Sequence, residues 1–303
     1  MNLIRRICRK LWFTALKAGM LDHLSDECFL RCLYRITMGG SIDFSHPVLF
    51  SEKMQWLKLH YRKSVFTTMV DKYAAKQYVA ERIGNQYITS TIAVWDDTDS
   101  INTDSLPDKF VLKCTHDSGG LVICADKNSL DWQSAKKTLQ TSLNHNYYLA
   151  NREWPYKNVH PRIIAEEYLE NDGSEGLHDY KIWCFNGEPE YIQYITGRIG
   201  KHTYEGFYDK SWKLQSFHYH NPLMPTPVSA PRCLDELIEL ARKLSLGLPF
   251  LRCDFYVLQD GSIRFGEMTF YPMSGMENWH PAEMNRIMGD KIQLPNDPII
   301  DGE

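Results

Sequence analysis

The chain has 303 residues, of which 43% are hydrophobic and 13% aromatic, and this composition excludes a disordered protein. Its length predicts about two domains. The formal net charge of −4 provides no basic field that would attract a polyanion, which argues against nucleic-acid binding. The eight cysteines have neither the spacing of a zinc site nor that of a disulfide framework, so we expect reduced thiols in a cytoplasmic protein.

The first predicted element is a basic amphipathic helix in the segment MNLIRRICRKLWFTALKAGML. Its basic residues, which all precede the first acidic one, are Arg5, Arg6, Arg9, Lys10 and Lys17. A helical wheel gathers small and apolar residues on one side, namely Ile4, Ile7, Cys8, Leu11 and Ala15. The apolar stretch is too short for a signal peptide or a membrane span. Either this helix lies on an anionic membrane at its inner face, or it docks on its own domain, and the pattern favours docking.

Further helices are predicted up to residue 84, so residues 1–84 are assigned as a helical N-terminal region. The segment SDECFLRCLYRITMGG begins at a capping Ser25, and SEKMQWLKLHYRK begins at Ser51. The segment VDKYAAKQYVAERIG ends at Gly84, a residue type that stops helices. No Gly-x-Gly-x-x-Gly motif follows a strand here, so the dinucleotide-binding fingerprint is absent.

After residue 84, predicted strands alternate with helices. The segments YITSTIAVW, KFVLKC, GLVICAD and PRIIAEEYLE read as strands, and DWQSAKKTLQTSLN and CLDELIELARKLSLGLP as helices. The segment DYKIWCFNGEPEYIQYIT predicts a hairpin on an Asn186-Gly187 turn, and RCDFYVLQDGSIRFGEMTF predicts a second on Gln259-Asp260-Gly261. Hairpins with helices laid against them indicate an α+β architecture of two lobes with the sites between them.

The segment FVLKCTHDSGGLVI is the first candidate binding site. Lys113 ends an apolar strand, and Ser118, Gly119 and Gly120 follow in a loop before the next strand. Glycine lets backbone N–H groups approach a phosphate, and the lysine supplies the opposite charge. The alternative is that the glycines only form a hairpin turn.

The segment IIAEEYLE is the second candidate. A strand that leaves a buried sheet exposes backbone groups that can pair with the amino and ring nitrogens of adenine. The alternative is that its acidic residues are solvated charges at the end of a strand.

The second hairpin contains two carboxylates inside apolar runs, where a charged group needs a positive partner. Asp254 and Glu267 are thirteen positions apart across the turn, which can place both on one face of adjacent strands. Two hard oxygen ligands on a rigid hairpin suit Mg²⁺, which binds few carboxylates together with substrate phosphates. Alternatively, Arg252 neutralises one of the acids. We favour the metal.

The order of these motifs resembles that of the ATP-grasp superfamily, and several blocks resemble its TupA-like branch, found in polysaccharide biosynthesis. The blocks are FSEKMQWLKL, DKYAAKQYV, LPDKFVLKCTHDSGG, EWPYKNVHPRIIAEEYLE, DYKIWCFNGEPEYIQ and FGEMTFYPMSGMENWHP, and they cover most of residues 44–290. The resemblance implies an ATP-grasp fold with two α+β lobes that grip ATP between them and a helical N-terminal extension. It divides the chain into a small lobe with a glycine-rich loop at 85–165 and a C-terminal lobe with a Mg²⁺-binding hairpin at 166–303.

The resemblance also implies roles for individual residues. The nucleotide-binding residues would be Lys72, Lys113, Ser118, Gly119, Gly120, Glu166, Glu167, Tyr168, Leu169, Asp179 and Lys181. Within that set, Lys113 would contact the α- and β-phosphates, and Lys72 would face the nucleotide or its phosphates. The three loop residues would close over the phosphates, Glu166 to Leu169 would form the adenine hinge and Asp179 would contact the ribose. Lys181 and Arg252 would act on the transferred phosphoryl group. Asp254, Glu267 and Thr269 would be the metal ligands.

Two positions depart from the wider pattern. Thr269 stands where the superfamily commonly has Asn, and a hydroxyl is a weaker metal ligand. Lys76 stands where the branch often has Arg.

The resemblance implies an ADP-forming carboxylate–amine ligase that uses Mg²⁺ and ATP. Its substrates would be a small-molecule or glycan carboxylate, such as a uronic acid of a surface polysaccharide or capsule, and an amine such as an amino acid. The alternatives are a kinase that phosphorylates a sugar or another small-molecule hydroxyl, and a nucleotide-binding subunit of a glycan-assembly complex without catalysis. Four residues are candidates for contact with the acceptor: His116, Arg198, Trp279 and His280.

Overall fold

The first eighty or so residues are mainly helical, as the sequence predicts. The computed structural model describes residues 3–170, 177–196 and 203–301. Its first five helices are α1 (Leu3–Lys17), α2 (Asp26–Thr37), α3 (Phe50–His60), α4 (Val65–Val70) and α5 (Ala74–Ile83). Ser25 caps α2 by accepting a hydrogen bond from the Cys28 N–H, and Gly84 ends α5 with a φ of 113°, so both predicted helix ends are confirmed.

Two predictions in this region are wrong in detail. Helix α3 begins one residue before Ser51, because the Glu52 carboxylate accepts hydrogen bonds at 2.9 Å from the N–H groups of Val48 and Leu49 and thereby caps the helix earlier. The predicted helix also stops at residue 60, and β1 (Tyr61–Lys63) follows. Strand β1 pairs in parallel with β11 (Ile299–Asp301), a partner too distant in sequence for local patterns to indicate.

A four-stranded antiparallel sheet forms the small lobe. Its strands are β2 (Thr91–Trp95), β3 (Phe110–Cys114), β4 (Leu121–Cys124) and β5 (Ile163–Glu167), in the order β2-β5-β3-β4. Helix α6 (Trp132–Leu143) covers this sheet, and α7 (Tyr147–Asn151) follows it. Leu112, Leu139 and Ile163 form the centre of a separate small core. The predicted boundary after residue 165 therefore falls inside β5.

A five-stranded antiparallel sheet forms the large lobe. Its strands are β6 (His178–Phe185), β7 (Glu188–Thr196), β8 (Tyr204–Tyr208), β9 (Phe250–Val257) and β10 (Ile263–Thr269), in the order β10-β9-β6-β7-β8. Asn186 and Gly187 form the turn between β6 and β7 with φ angles of 53° and 84°, as the Asn-Gly signal predicts. Helix α8 (Leu234–Ser245) packs on β6, β7 and β9, and α9 (Met284–Asp290) packs against α3.

The N-terminal helices share one hydrophobic core with the large sheet. The Phe50 ring of α3 lies 5.9 Å from the Trp183 ring and 5.4 Å from the Phe250 ring, measured between centroids. Buried residues from α2 to α5 belong to the same core as those of β6 to β10. The structure thus has two cores and confirms the predicted α+β class. In the ranges that it describes, no helix is both long and apolar enough to cross a lipid bilayer.

Candidate active site

Two adjoining cavities lie between the small sheet and the β9–β10 hairpin. One, of about 450 Å³, is largely apolar and receives Val111 and Ile123 from the small sheet and Tyr256 and Phe265 from the hairpin. The other, of about 290 Å³, contains most of the predicted phosphate and metal residues. The two share several wall residues, namely Lys72, Lys113, Leu121, Tyr256 and Gly266. All of the predicted nucleotide residues except Gly119 therefore line one cleft between the lobes.

Lys113 and Glu166 meet across the small sheet. Register pairs Val111 with Glu166, and the Lys113 Nζ lies 2.5 Å from one Glu166 oxygen, while the Lys76 Nζ lies 2.6 Å from the other. Burial by itself would raise the pKa of Glu166, but the two lysines outweigh it and the pKa lies below its ordinary value. Glu166 is therefore a buried anion that fixes Lys113 at the cleft. From the sequence, Lys76 is distinguished only as a departure from the family pattern, because its contact with Glu166 joins residues far apart in the chain.

The glycine loop is held by Asp117, which the sequence analysis did not single out. The Asp117 carboxylate accepts hydrogen bonds from the Gly120 N–H at 3.2 Å and from the Ser142 hydroxyl. A Cβ on Gly120 would overlap Ser142 Oγ and come within 2.6 Å of Cys114 Sγ, whereas one on Gly119 would meet Asp117 at an ordinary 3.6 Å. Ser118 is exposed at the tip of the loop. Close packing thus requires glycine at 120 and leaves residues 118 and 119 at the mouth of the cleft.

Lys72 lies in the wall of both cavities and joins the N-terminal helices to the loop. Its Nζ donates to the Cys114 carbonyl at 3.1 Å and to the Asp117 carbonyl. Burial lowers the pKa of Lys72, against the opposing attraction of Glu267 and Asp117. The lysine therefore stands between the loop and the carboxylates of the predicted metal site, and the resemblance implies that it faces the nucleotide or its phosphates.

The end of β5 forms one side of the apolar cavity. Glu167, Tyr168 and Leu169 all line it, together with Leu177 just before β6. The Glu167 N–H already donates to the Ser90 carbonyl at 3.0 Å. Leu169 lies beyond the last residue of the strand, so its backbone is outside the sheet ladder. The residues predicted to form the adenine hinge thus lie in one wall of the apolar cavity, and their contacts with a base stay a prediction.

A β-bulge brings the two hairpin carboxylates together. Register pairs Phe265 with Phe255 but Glu267 with Asp254, so Gly266 is the extra residue. A Cβ on Gly266 would approach the Asp254 carbonyl oxygen at 3.1 Å. Without the bulge, Glu267 would face Cys253, whose side chain points to the opposite side of the sheet. The predicted shared face of Asp254 and Glu267 is therefore present because Gly266 shifts the register.

Arg252 and Lys181 surround Asp254. Arg252 donates from Nε and from one terminal nitrogen to the two oxygens of Asp254, both at 2.7 Å. Lys181 is paired with Asp254 across β6 and β9, and its Nζ contacts Asp254 and lies 2.9 Å from Asp179. Burial alone would raise the pKa of Asp254, but Arg252 and Lys181 outweigh it and the pKa is lowered. The neutralising arginine, raised as an alternative from the sequence, is thus present.

Glu267 and Thr269 complete this network in different ways. One Arg252 nitrogen donates to Glu267 at 3.0 Å and to the Thr269 hydroxyl at 2.9 Å, and that hydroxyl donates to the same Glu267 oxygen at 3.0 Å. The side chain of Glu267 is 45% exposed and lines the charged cavity, whereas Thr269 lines neither cavity. Within the described ranges, the other Glu267 oxygen makes no hydrogen bond. Glu267 therefore has an oxygen that can bind a ligand, whereas the Thr269 hydroxyl links Arg252 to Glu267 by hydrogen bonds.

The charges of the cleft bear on whether Mg²⁺ suits it. Among the described residues, no group of three or more His, Cys, Asp and Glu side chains is placed to hold a metal. Asp254 and Glu267 supply only two carboxylates, the number that Mg²⁺ accepts when phosphates complete its shell. The charged residues that line the two cavities are Lys72, Lys76, Lys113, Lys181, Asp117, Glu166, Glu167, Asp179, Asp254 and Glu267. Carboxylates outnumber lysines in this lining, so a bound polyphosphate would need additional cations. Mg²⁺ held by Asp254 and Glu267 would supply that charge, so the residues fit this ion.

The four candidates for acceptor contact are not brought together. The His116 ring is buried, and its Nε2 lies 3.0 Å from the Ser142 carbonyl oxygen. Trp279 is buried, and its ring centroid lies 4.4 Å from that of Tyr219. The His280 ring stacks on the His218 ring with 4.7 Å between centroids. Arg198 lies outside the described residues. His116 and Trp279 are thus packing residues of their lobes.

Comparisons with known proteins place the chain in a family. A family model described as TupA-like ATPgrasp matches residues 52–293. No match to a curated protein sequence is found. Among solved structures, the chain is similar to a D-alanine–D-alanine ligase from Bacillus anthracis complexed with ATP, at 18% identity and a TM-score of 0.40, over 68% of this chain and 56% of that one. This chain therefore spans less than two thirds of that ligase.

Two further solved structures are similar over more of the chain. D-cycloserine synthetase DcsG shares 15% identity with a TM-score of 0.41, over 75% of this chain and 71% of that one. The ATP-grasp ligase PsnB, complexed with its minimal precursor, shares 10% identity with a TM-score of 0.43, over 91% of this chain and 75% of that one.

Proposed function

Because the chain belongs to the TupA-like ATP-grasp family, we propose that it is an ADP-forming ligase that joins a carboxylate to an amine. One observation carries this proposal. Lys72, Lys113, Ser118 and Gly120 line the charged cavity together with Asp254 and Glu267. Such a cavity brings phosphate-binding and metal-binding groups within reach of the same ligand.

The proposed nucleotide pose follows the division of the cleft. The base occupies the apolar cavity beside Tyr168 and Leu169, and the triphosphate extends into the charged cavity. Lys113 and Lys72 contact the phosphates, and Ser118, Gly119 and Gly120 close over them. Because Glu166 holds the Lys113 ammonium within 2.5 Å, the lysine is oriented before the nucleotide arrives.

Mg²⁺ would be held by Asp254 and Glu267 and would supply positive charge to the phosphate being transferred. The two carboxylates are cross-strand partners, so the sheet fixes their separation. Glu267 contributes an oxygen that is free of hydrogen bonds within the described residues, while Asp254 stays ionised because Arg252 and Lys181 lower its pKa.

The reaction proceeds in two steps. A carboxylate oxygen of the first substrate attacks the γ-phosphorus of ATP, the bond to the β-phosphate oxygen breaks, and an acyl phosphate and ADP form. The amine then attacks the acyl carbon, loses a proton, and displaces inorganic phosphate to leave an amide. Arg252, Lys181 and Lys113 stabilise the charge on the moving phosphoryl group and on the oxyanion that follows. The second terminal nitrogen of Arg252 makes no hydrogen bond within the described ranges, so it has donors for this task.

We further propose that the carboxylate is that of a uronic acid in a surface polysaccharide, a capsule or a precursor of either, and that the amine is an amino acid. Support for this substrate class comes from the resemblance to the TupA-like branch.

The test is an ADP-release assay with Mg²⁺ and ATP over a panel of amino acids combined with uronic acids and uronic-acid oligosaccharides. A ligase releases ADP only when a suitable carboxylate is present, and hydroxylamine in place of the amine yields a hydroxamate. ADP release with a phosphorylated sugar and without hydroxamate would instead identify a kinase. Tight ATP binding without turnover across the panel would identify a nucleotide-binding subunit.

A further inference from the structure

Helix α1 packs on the large core through a different face from the apolar side predicted by the helical wheel. Trp12, Phe13 and Leu16 pack against the large core, and the Trp12 ring lies 5.1 Å from the Phe29 ring. Ile7, Cys8 and Leu11, three residues of the apolar side predicted from the helical wheel, are exposed instead. Ile7 is 51% exposed and Leu11 is 64% exposed, so the helix has a second apolar face in contact with solvent.

A row of cations runs beside this outer apolar face. Ile7 and Leu11 are one helical turn apart, and so are Arg6 and Lys10, with Lys17 two turns further along the same side. All three basic residues are exposed. No Asp or Glu occurs before Asp22, although the chain as a whole has a net charge of −4. Helix α1 therefore carries a local excess of positive charge, which an anionic surface would complement.

The outer face is held in place by the rest of the molecule. The Arg5 guanidinium donates to the carbonyls of Ile36, at 2.8 Å, and of Thr37 at the end of α2. Phe29, which packs against Trp12, also lies under the Arg152 guanidinium at 4.4 Å. The helix thus presents its exposed side chains without the entropic cost of folding on contact.

We propose that α1 binds the surface of an anionic membrane, with Ile7 and Leu11 among the lipid headgroups and Arg6, Lys10 and Lys17 on the phosphates. A combined apolar and cationic stripe on one helix face matches an anionic lipid surface. A second copy of the chain is a poorer partner, because self-association through α1 would bring two rows of like charges together. The proposal is independent of the ligase reaction, since α1 contributes no residue to the cleft.

The experiment is co-sedimentation of the full chain with vesicles of phosphatidylcholine alone and with vesicles that also contain phosphatidylglycerol. We expect binding only to the anionic vesicles, and weaker binding as salt is raised. The double variant Arg6→Gln/Lys10→Gln should bind about thirtyfold more weakly, since each basic residue near such a surface contributes close to a factor of five. Ile7→Ser/Leu11→Ser should weaken binding by about tenfold or more through lost apolar contact.

The matched control is Lys137→Gln/Lys243→Gln, which removes two exposed cations on α6 and α8 and should leave vesicle binding within about twofold of the parent. Thermal unfolding of each variant checks that α1 remains docked. Three results would overturn the proposal: no binding to anionic vesicles at low salt, binding that the two α1 variants do not weaken, or a change in oligomeric state in those variants, which would assign the face to a second copy.

Discussion

Asp254 combines deep burial with a lowered pKa, and its neighbours explain why. The carboxylate is 3% exposed and is contacted by Arg252 through two nitrogens and by Lys181. Removing one partner from such a buried network leaves unpaired charge behind, which costs about 3–5 kcal/mol. Asp254 therefore has a structural role in addition to its proposed role as a metal ligand, and a test must separate the two.

We expect Asp254→Asn to lower ATP turnover by about a hundredfold or more, because an amide cannot neutralise the phosphate charge through a metal. The measurement is ADP release per folded molecule, with the folded fraction taken from thermal unfolding. Asp260→Asn, in the exposed turn of the same hairpin, is the control and should retain turnover. Turnover by Asp254→Asn equal to that of the control would contradict the metal assignment.

Among the residues of the cleft, Glu166 gives the clearest prediction of how stability depends on pH. Its pKa is lowered in the folded protein from an ordinary value of 4.5, because Lys113 and Lys76 outweigh its burial. A lowered folded-state pKa contributes stability that is present above the unfolded-state pKa and is lost as the pH falls through the folded-state value.

Glu166→Gln should therefore make the free energy of unfolding depend less steeply on pH in the acid range. Below about pH 4.5, we expect the free energy of unfolding of the parent to fall more steeply than that of the variant, by up to about 1.4 kcal/mol per pH unit. The measurement is denaturant unfolding at a series of pH values. Glu167→Gln, at the exposed next position, serves as the control and should follow the parent. Parallel profiles for Glu166→Gln and the parent would show that the ion pairs do not stabilise the fold.

At the scale of elements, the glycine loop depends on one of its two glycines. Gly120 packs against Cys114 and Ser142, while Gly119 has space for a methyl group. We expect Gly120→Ala to raise KM for ATP by about tenfold or more, because the loop must move to relieve a clash of roughly 1–3 kcal/mol. Gly119→Ala should stay within about twofold of the parent. Steady-state kinetics with varied ATP compares the pair, and similar effects of both substitutions would refute the packing argument.

The β9–β10 hairpin shows what local sequence patterns can and cannot specify. The turn at Gly261 and the alternation of apolar residues predict two strands, and both are present. The bulge at Gly266 was not predicted, because a glycine inside a strand is compatible with several local conformations. Its position follows from the pairing with β9, which brings Glu267 opposite Asp254.

At the scale of the molecule, a cavity-forming substitution in one core should destabilise mainly the lobe that contains it. Leu112 lies at the centre of the small core and Phe207 in the large one. We expect Leu112→Ala to cost about 2–5 kcal/mol and to increase amide hydrogen exchange mainly in β2 to β5 and α6. Phe207→Ala should have the complementary effect on β6 to β10 and on α2 to α5. Exchange that rises uniformly along the chain in both variants would show that the lobes unfold as one unit.

Long-range contacts set the limit of what the sequence predicts. The α+β class, both hairpins and the meeting of Lys113, Lys181, Asp254 and Glu267 follow from turn signals, strand alternation and family resemblance. The pairing of β1 with β11 and the contact of Phe50 with Trp183 join residues that are far apart in the chain. Lys76 likewise reaches from α5 to Glu166 in the small sheet, 90 positions along the chain. Such contacts depend on how complete elements pack, which no local window contains.

Because of the Gly266 bulge, the effect of an inserted or deleted residue on the site depends on where in the hairpin it falls. Residues inserted between Val257 and Ile263 only enlarge the turn, because the ladder on either side keeps its pairs. A regular ladder that counted Gly266 as an ordinary strand residue would pair Glu267 with Cys253 and turn it to the far face of the sheet, whereas loss of Gly266 itself would leave Glu267 opposite Asp254. Loop grafting into this hairpin should therefore be confined to the turn. Within β10 itself, the position of the extra residue determines which side chains face the cleft.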